Sequence, residues 1–174
     1  APLPANHRAR VVVGQVTAQM RTRISQVRTL VEKDASVEAI GSYLFGLPGI
    51  GKSYILKAIA RALCPDVSPG ARLYIRNMRD VYASGYGGQP IWGYDDFGNG
   101  NAKAQQTECE TLMEMLSPSP YQLNMAGLTE KGTLLTSEAI IVISNTPLEA
   151  VQFTNKKGLF RRFLYYEVQL QPDY

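Results

Sequence analysis

Eight consecutive residues, Gly46-Leu47-Pro48-Gly49-Ile50-Gly51-Lys52-Ser53, have the form G-x-x-x-x-G-K-S. This spacing constrains the chain more than any other feature, because its chemistry needs a strand before it and a helix after it. Both flanks agree. Tyr43-Leu44-Phe45 reads as a short buried strand, and residues 53–64 read as a helix with Ile55, Ile59 and Ala62 at helical spacing and Pro65 just past its end. The glycines let backbone N–H groups close around phosphate oxygens, and the helix N-terminus adds partial positive charge. Lys52 is placed to reach β- and γ-phosphates, and the Ser53 hydroxyl to ligate Mg²⁺. Gly46, Pro48, Gly49, Ile50, Gly51, Lys52, Ser53 and Tyr54 are the expected nucleotide-binding residues. A glycine-rich turn that matched only by chance would not bring both flanks with it.

The chain has 174 residues, 45% of them hydrophobic, enough for one domain with a sizeable core. Its net charge of +3 is unevenly placed. Residues 1–33 hold six Lys/Arg against one acid, Glu32, so the remainder is slightly acidic. A basic segment reads either as a site for an anionic partner or as the solvated face of a helix. Cys64 and Cys109 fall on predicted helices and look like small core residues of a reducing compartment. The lone His7 falls in a tail, and no metal-ligand spacing is present, so no structural metal is expected. No apolar run approaches the ~18 residues of a membrane span, and no signal peptide is evident. The chain as given is expected to be soluble, and its start without methionine reads as a processed or excised product.

Residues 1–10, with prolines at 2 and 4, read as a loose arm. From about 15 to 32, Val16, Met20, Ile24, Val27 and Val31 step by three or four, an amphipathic helix with arginines outward. This arm and helix form the expected segment 1–36, ahead of a main domain at 37–174. Residues 34–38 are a polar connector. Beyond the loop helix comes a turn cluster at 65–70, then an alternating strand at 71–76 (Leu73, Ile75). A glycine- and aromatic-rich loop follows at 82–90. Ile91-Trp92-Gly93-Tyr94-Asp95 reads as a strand ending in acid, and Cys109, Leu112, Met113 and Leu116 mark a helix stopped by Ser117-Pro118. Residues 121–137 read as an extended β-hairpin with Lys131-Gly132 near its tip. The continuous apolar run 139–144 reads as a central strand, and residues 163–170 as either a strand or a terminal helix. Strands alternating with helices predict an α/β three-layer sandwich around a mainly parallel sheet.

Three further groups carry chemistry. Asp95-Asp96, 43 residues after Lys52 at a strand end, supply one carboxylate for hydrated Mg²⁺ and one to orient or deprotonate water. Asn145, closing a buried strand, is placed either to bond a γ-phosphate or the lytic water, or simply to turn the chain at Thr146-Pro147. Arg161-Arg162, after Lys156-Lys157, read either as a basic surface patch or as an arginine finger supplied to a neighbouring subunit.

Taken in order, the glycine loop, Tyr94-Asp95-Asp96-Phe97, the run from Asn124 through Glu130-Lys131-Gly132 to Thr136-Ser137, and Ile143-Ser144-Asn145 resemble the superfamily 3 helicases. The likeness is to the replication ATPase of picorna-like positive-strand RNA viruses and covers about residues 40–168. Arg161-Arg162-Phe163 resembles the family's arginine-finger segment. The resemblance implies an AAA+ type fold, ATP and Mg²⁺ as cofactors, and a hexameric homo-oligomer with ATP between subunits. It also implies single-stranded RNA and other viral replication proteins as partners, in the host cell cytoplasm at replication membranes reached through segments absent here. Lys131 and Tyr86 become candidates for RNA contact near a central pore, although a Lys-Gly at a hairpin tip is more often just a turn and the loop around Tyr86 reads equally as a lid. The sequence lacks the cysteine-rich zinc site and long C-terminal helix that some members carry. Two other readings stay open: a nucleotide-gated scaffold of replication membranes, and a DNA-acting superfamily 3 replication helicase.

Overall fold

The apolar run after Glu138 forms a strand, Ala139–Ser144, buried at every position. In the computed structural model of the chain, which describes residues 7–31 and 38–169, this strand is β4, the middle of a five-stranded sheet. The others are β1 (Ile40–Phe45), β2 (Leu73–Arg76), β3 (Ile91–Phe97) and β5 (Phe163–Glu167). Their order is β2-β3-β4-β1-β5, and all four pairings are parallel. Parallel strands are covered on both faces, which is why β4 is apolar without alternation.

Helices cover both faces. On one side lie α1 (His7–Val31) and α2 (Lys52–Leu63), closing over Leu44, Ile141 and Ile143 with Met20, Ile55 and Leu56. On the other, α4 (Ala102–Met115) and α5 (Lys156–Phe160) cover Tyr43, Trp92, Tyr94, Ile140 and Val142 with Cys109, Leu112 and Leu159. A single turn, α3 (Pro69–Arg72), leads into β2. The expected three-layer α/β sandwich is therefore the observed one, with the sheet entirely parallel. Cys109 is buried and Cys64 half-buried, both as free thiols, and burial pushes the Cys109 thiol up to about 12.

Several local readings need correcting. The first helix begins at His7, so residues 7–10 belong to it and not to an arm. Ala9, Val13 and Val16 carry the apolar stripe back from Met20 onto the α2 side of the core, and that burial offsets the weak helix preference of Gly14 and the valines. In β2 the inward residue is Tyr74, with Ile75 left 41% exposed. β2 is an edge strand, and Tyr86 and Trp92 cover the face bearing Tyr74, at ring distances of 5.4 and 4.6 Å. Residues 121–137 form only a rudimentary hairpin. Gln122 and Leu134 make one antiparallel bridge, flanked by bonds from Leu123 N to Thr133 O and from Leu135 N to Tyr121 O. A 3₁₀ turn at Leu128–Glu130 takes up the tip. The open choice at 163–170 resolves as a strand, because β1 offers a free edge that β5 fills. The arm before residue 7, residues 34–37 of the connector with the segment boundary at 36, and Leu170 lie outside the described residues.

Met20 is fully buried, so Met20→Ala should cost about 2–5 kcal/mol. Urea unfolding followed by circular dichroism should show one transition shifted to lower denaturant. An early separate loss of helix signal would mean that α1 folds apart from the rest.

Candidate nucleotide site

The site sits where β3, β4 and β1 end side by side. Ser144 closes β4 and is the register partner of Phe45 on β1 and of Phe97 on β3. The segments leaving these strands begin with Gly46, Asn145 and Gly98, and Asp95-Asp96 lie near the end of β3, where its register with β4 shifts between Tyr94 and Phe97. In open α/β sheets this carboxyl edge is where ligands bind.

The loop after β1 is shaped by close approach. A Cβ on Gly46 would lie 2.3 Å from the carbonyl oxygen of Val168, which continues from β5. Gly51, at φ 82°, is the N-cap of α2 and adds no side-chain cap bond, so the first N–H groups of α2 have no capping side chain and face the loop. Lys52 is only 5% exposed. Its ammonium donates to the carbonyls of Gly46 (2.9 Å) and Leu47 (2.6 Å). Burial lowers its pKa below the ordinary lysine value, against the opposing pull of Asp96 and Asp95. Pro48 and Gly49 are exposed on the rim and Ile50 is half-buried. Tyr54 is 65% exposed, with its ring edge 4.0 Å from where a Gly51 Cβ would stand. It therefore flanks the loop as an open aromatic surface.

The acidic pair divides in two. Asp95 accepts from the Ser53 hydroxyl at 3.0 Å. Asp96 turns the other way and accepts from the Asn145 amide at 3.3 Å, a long bond. Asp96 is the only described non-glycine residue at positive φ, 58°, a conformation Asp tolerates better than most side chains. Behind them Ser144, fully buried, donates to Phe97 O (2.8 Å) and accepts from Thr146 N (3.0 Å). It holds the Asn145 turn against the end of β3. Sequence reading passed over Ser144; the signal was a hydroxyl closing an otherwise apolar run.

Other expected site residues lie elsewhere. Arg161 (exposed) and Arg162 (half-buried, bonded to Gly158 O at 3.0 Å) sit in the turn before β5. Phe163 registers with Gly41, five residues before Gly46, so they stand about 16 Å away along the sheet, at its opposite edge. Lys131 is exposed beside Gly132 (φ 92°) in the turn of the 121–135 segment. Tyr86 is not free to stack on bases. It is 6% exposed, packs on Tyr74 and Trp92, and its hydroxyl bonds Thr136 and Ser137 at 3.1 Å. The aromatic richness of its loop serves the core under β2. A separate cavity of about 570 Å³ between β3 and α4, lined in part by Arg76, Tyr94, Glu108 and Tyr121, lies outside the phosphate loop. Burial raises the pKa of Glu108 there.

A parallel α/β sheet with a glycine loop leaving one central strand for a helix is the fold of the phosphate-loop class. The RNA helicase family model matches residues 42–146, and the chain belongs to that family. Its sequence is 31% identical over 137 residues to the genome polyprotein of simian hepatitis A virus genotype V (isolate AGM-27), covering 78% of this chain and 6% of that one. The genome polyprotein of human hepatitis A virus genotype IA (isolate H2) matches at the same identity and coverage. The chain thus spans only a small part of these curated relatives. Among solved structures, a proposed primosome component of Streptococcus pyogenes serotype M3 aligns with TM-score 0.44 at 19% identity, covering 86% of this chain and 79% of that one. The fold assignment rests on the sheet itself.

If Lys52 contacts nucleotide phosphates, its buried environment predicts a pH-dependent affinity. Phosphate contact raises the lysine pKa above its lowered free value, so affinity is full below the free-state pKa and falls as pH rises through the bound-state one. Fluorescent-nucleotide titrations should weaken progressively on the alkaline side, and the residual binding of Lys52→Ala should not follow that fall.

Proposed function

We propose that this chain is the motor core of a viral RNA-replication helicase. In this reading it is an ATPase that couples hydrolysis to translocation on, or unwinding and remodelling of, RNA during genome replication. The observation that carries the reading is the division of labour at one sheet edge. Lys52 and the α2 N-terminus form a cationic cradle, Ser53 and Asp95 an oxygen pair, and Asp96 and Asn145 a carboxylate–amide pair.

The donor set fits Mg²⁺. One hydroxyl and one carboxylate are what this ion takes from a protein when substrate phosphates and water complete its shell. Bound there with nucleotide, the ion supplies positive charge against the phosphate oxygens. The chain's residues do the rest. Lys52 exchanges its two carbonyl partners for phosphate oxygens, and Tyr54 lies beside the loop where a ribose or base extends. Asp96 accepts the proton of the attacking water, and Asn145 orients that water or the γ-phosphate. Arg161 or Arg162 neutralises charge on the transferred phosphoryl of a neighbouring subunit's nucleotide. Their distance from the chain's own loop supports action in trans, and a finger of this kind contributes about 10³–10⁵ in rate. The proposed assembly is a ring of like subunits, a hexamer on the family resemblance. Single-stranded RNA is the proposed track, with exposed Lys131 as a contact. The proposed setting is the host cytoplasm, at replication membranes with other replication proteins. No described helix is long and apolar enough to cross a membrane.

Steady-state ATP turnover per subunit should rise with protein concentration and with added single-stranded RNA. A flat rate would count against a shared site, and turnover without ATP-dependent strand separation would favour a nucleotide-gated scaffold. Lys52→Ala should abolish turnover. Asp96→Asn keeps the left-handed backbone and should bind ATP while losing most hydrolysis; lost binding would shift the base role to Asp95. Mixing Lys52→Ala with Arg161→Ala, each inactive alone, should restore part of the activity. No recovery in assembled mixtures would overturn the trans finger.

A further inference from the structure

Between the Asn145 turn and the arginine segment stands one side chain that touches both, Tyr165 on β5. Its hydroxyl accepts from the backbone N–H of Leu148 at 3.0 Å and donates to the Glu149 carboxylate at 2.7 Å. Both partners belong to the 3₁₀ turn Leu148–Ala150 that follows Asn145-Thr146-Pro147. Its ring stacks on Tyr43, its register partner on β1, at 5.5 Å, and on Phe45 at 4.9 Å. It also packs on Phe160 at 4.6 Å, and Phe160 is the last residue of α5, directly before Arg161. Two further bonds close the frame. The Tyr43 hydroxyl donates to Thr146 O (2.8 Å), and the Lys156 ammonium on α5 donates to Glu149 O (2.6 Å).

We propose that Tyr165 is a positioning residue for hydrolysis, holding the Asn145 turn and the Arg161 segment in one mutual arrangement. This rests on the reading of the site as a nucleoside triphosphatase completed by a neighbour. The hydrogen bonds and ring contacts of Tyr165 go to Leu148, Glu149, Tyr43, Phe45 and Phe160 and not to Gly46–Ser53, so nucleotide affinity is expected to change little without its hydroxyl. Its hydroxyl fixes the turn that aims Asn145 at Asp96, and its ring fixes the end of the helix that presents Arg161 outward. A change at Asn145 when nucleotide binds is thereby felt at the arginine offered to the next subunit, through a turn, a hydroxyl and an aromatic pair. Tyr165→Phe separates the two contacts, because it keeps the ring stack and removes both hydroxyl bonds.

The test compares wild type, Tyr165→Phe, Glu149→Gln and Glu149→Ala in the full chain by ATP turnover, fluorescent-nucleotide affinity and thermal melting. Tyr165→Phe should lower kcat, by about 10²-fold for a misplacement of the Asn145 turn on the scale of 1 Å, with KM and nucleotide affinity within about twofold of wild type. Glu149→Gln still accepts from the hydroxyl and should keep kcat near wild type, whereas Glu149→Ala should reproduce part of the loss. Wild-type kcat in Tyr165→Phe overturns the proposal. So does a melting temperature lowered while kcat and KM stay unchanged, which marks a structural role only. A wild type that neither binds nor turns over nucleotide, indistinguishable from Lys52→Ala, overturns the site reading itself and is told apart by the binding arm.

Discussion

The parallel pairing of β4 with β3 on one side and β1 on the other is the constraint on which the site depends. Neighbouring strands stand about 4.8 Å apart, so three chain exits that share Ser144 as register partner must emerge within about 10 Å of one another. Lys52, Asn145 and Asp96 become neighbours by sheet geometry, not by sequence distance. The buried Ser144 hydroxyl adds the local lock, since it satisfies the Phe97 carbonyl and the Thr146 N–H together. Left unpaired, such buried groups cost about 1–3 kcal/mol each.

Within that frame the site's charged groups are satisfied internally. The Lys52 ammonium rests on two carbonyls of its own loop, and the Ser53 hydroxyl rests on Asp95. Burial already disfavours the charged amine, so in the proposed function a triphosphate would replace two neutral carbonyl partners with anionic ones. The one non-glycine backbone strain among the described residues falls on Asp96. Such a conformation costs of order 1–3 kcal/mol, and Asp is among the side chains that bear it most readily. The Asp96 carboxylate meets Asn145 while Asp95 meets Ser53, so two adjacent acids have different partners.

The far edge of the sheet is organised differently. Arg161 and Arg162 precede β5, and the residues leading into β3 and β4 are joined where Glu138 N bonds Pro90 O. Arg28 reaches from α1 to Glu138 at 2.8 Å, tying the first helix to the same edge. An exposed pair of this kind adds little stability; the buried stripe of α1 does most of the fastening. The glycine loop and the two arginines thus stand at opposite ends of one sheet, with Tyr165 and α5 between them.

The glycine loop, its flanking strand and helix, the acidic strand end and the central strand with Asn145 were all legible in the sequence. Each is a local pattern whose physics is complete within about ten residues: a left-handed glycine, a helix start, an apolar run. The α/β class followed from their alternation. Tertiary structure decided what depends on neighbours far along the chain. It chose a strand for residues 163–167 because β1 had a free edge. It turned Tyr74 inward because Tyr86 and Trp92 covered that face, and in doing so withdrew Tyr86 from solvent. It extended α1 back to His7 because α2 offered an apolar surface to lie on. It also set the two arginines out of reach of their own phosphate loop. Local geometry follows from backbone sterics and short-range periodicity, whereas which face a side chain meets, and which end of the sheet it occupies, is fixed only when distant strands pair.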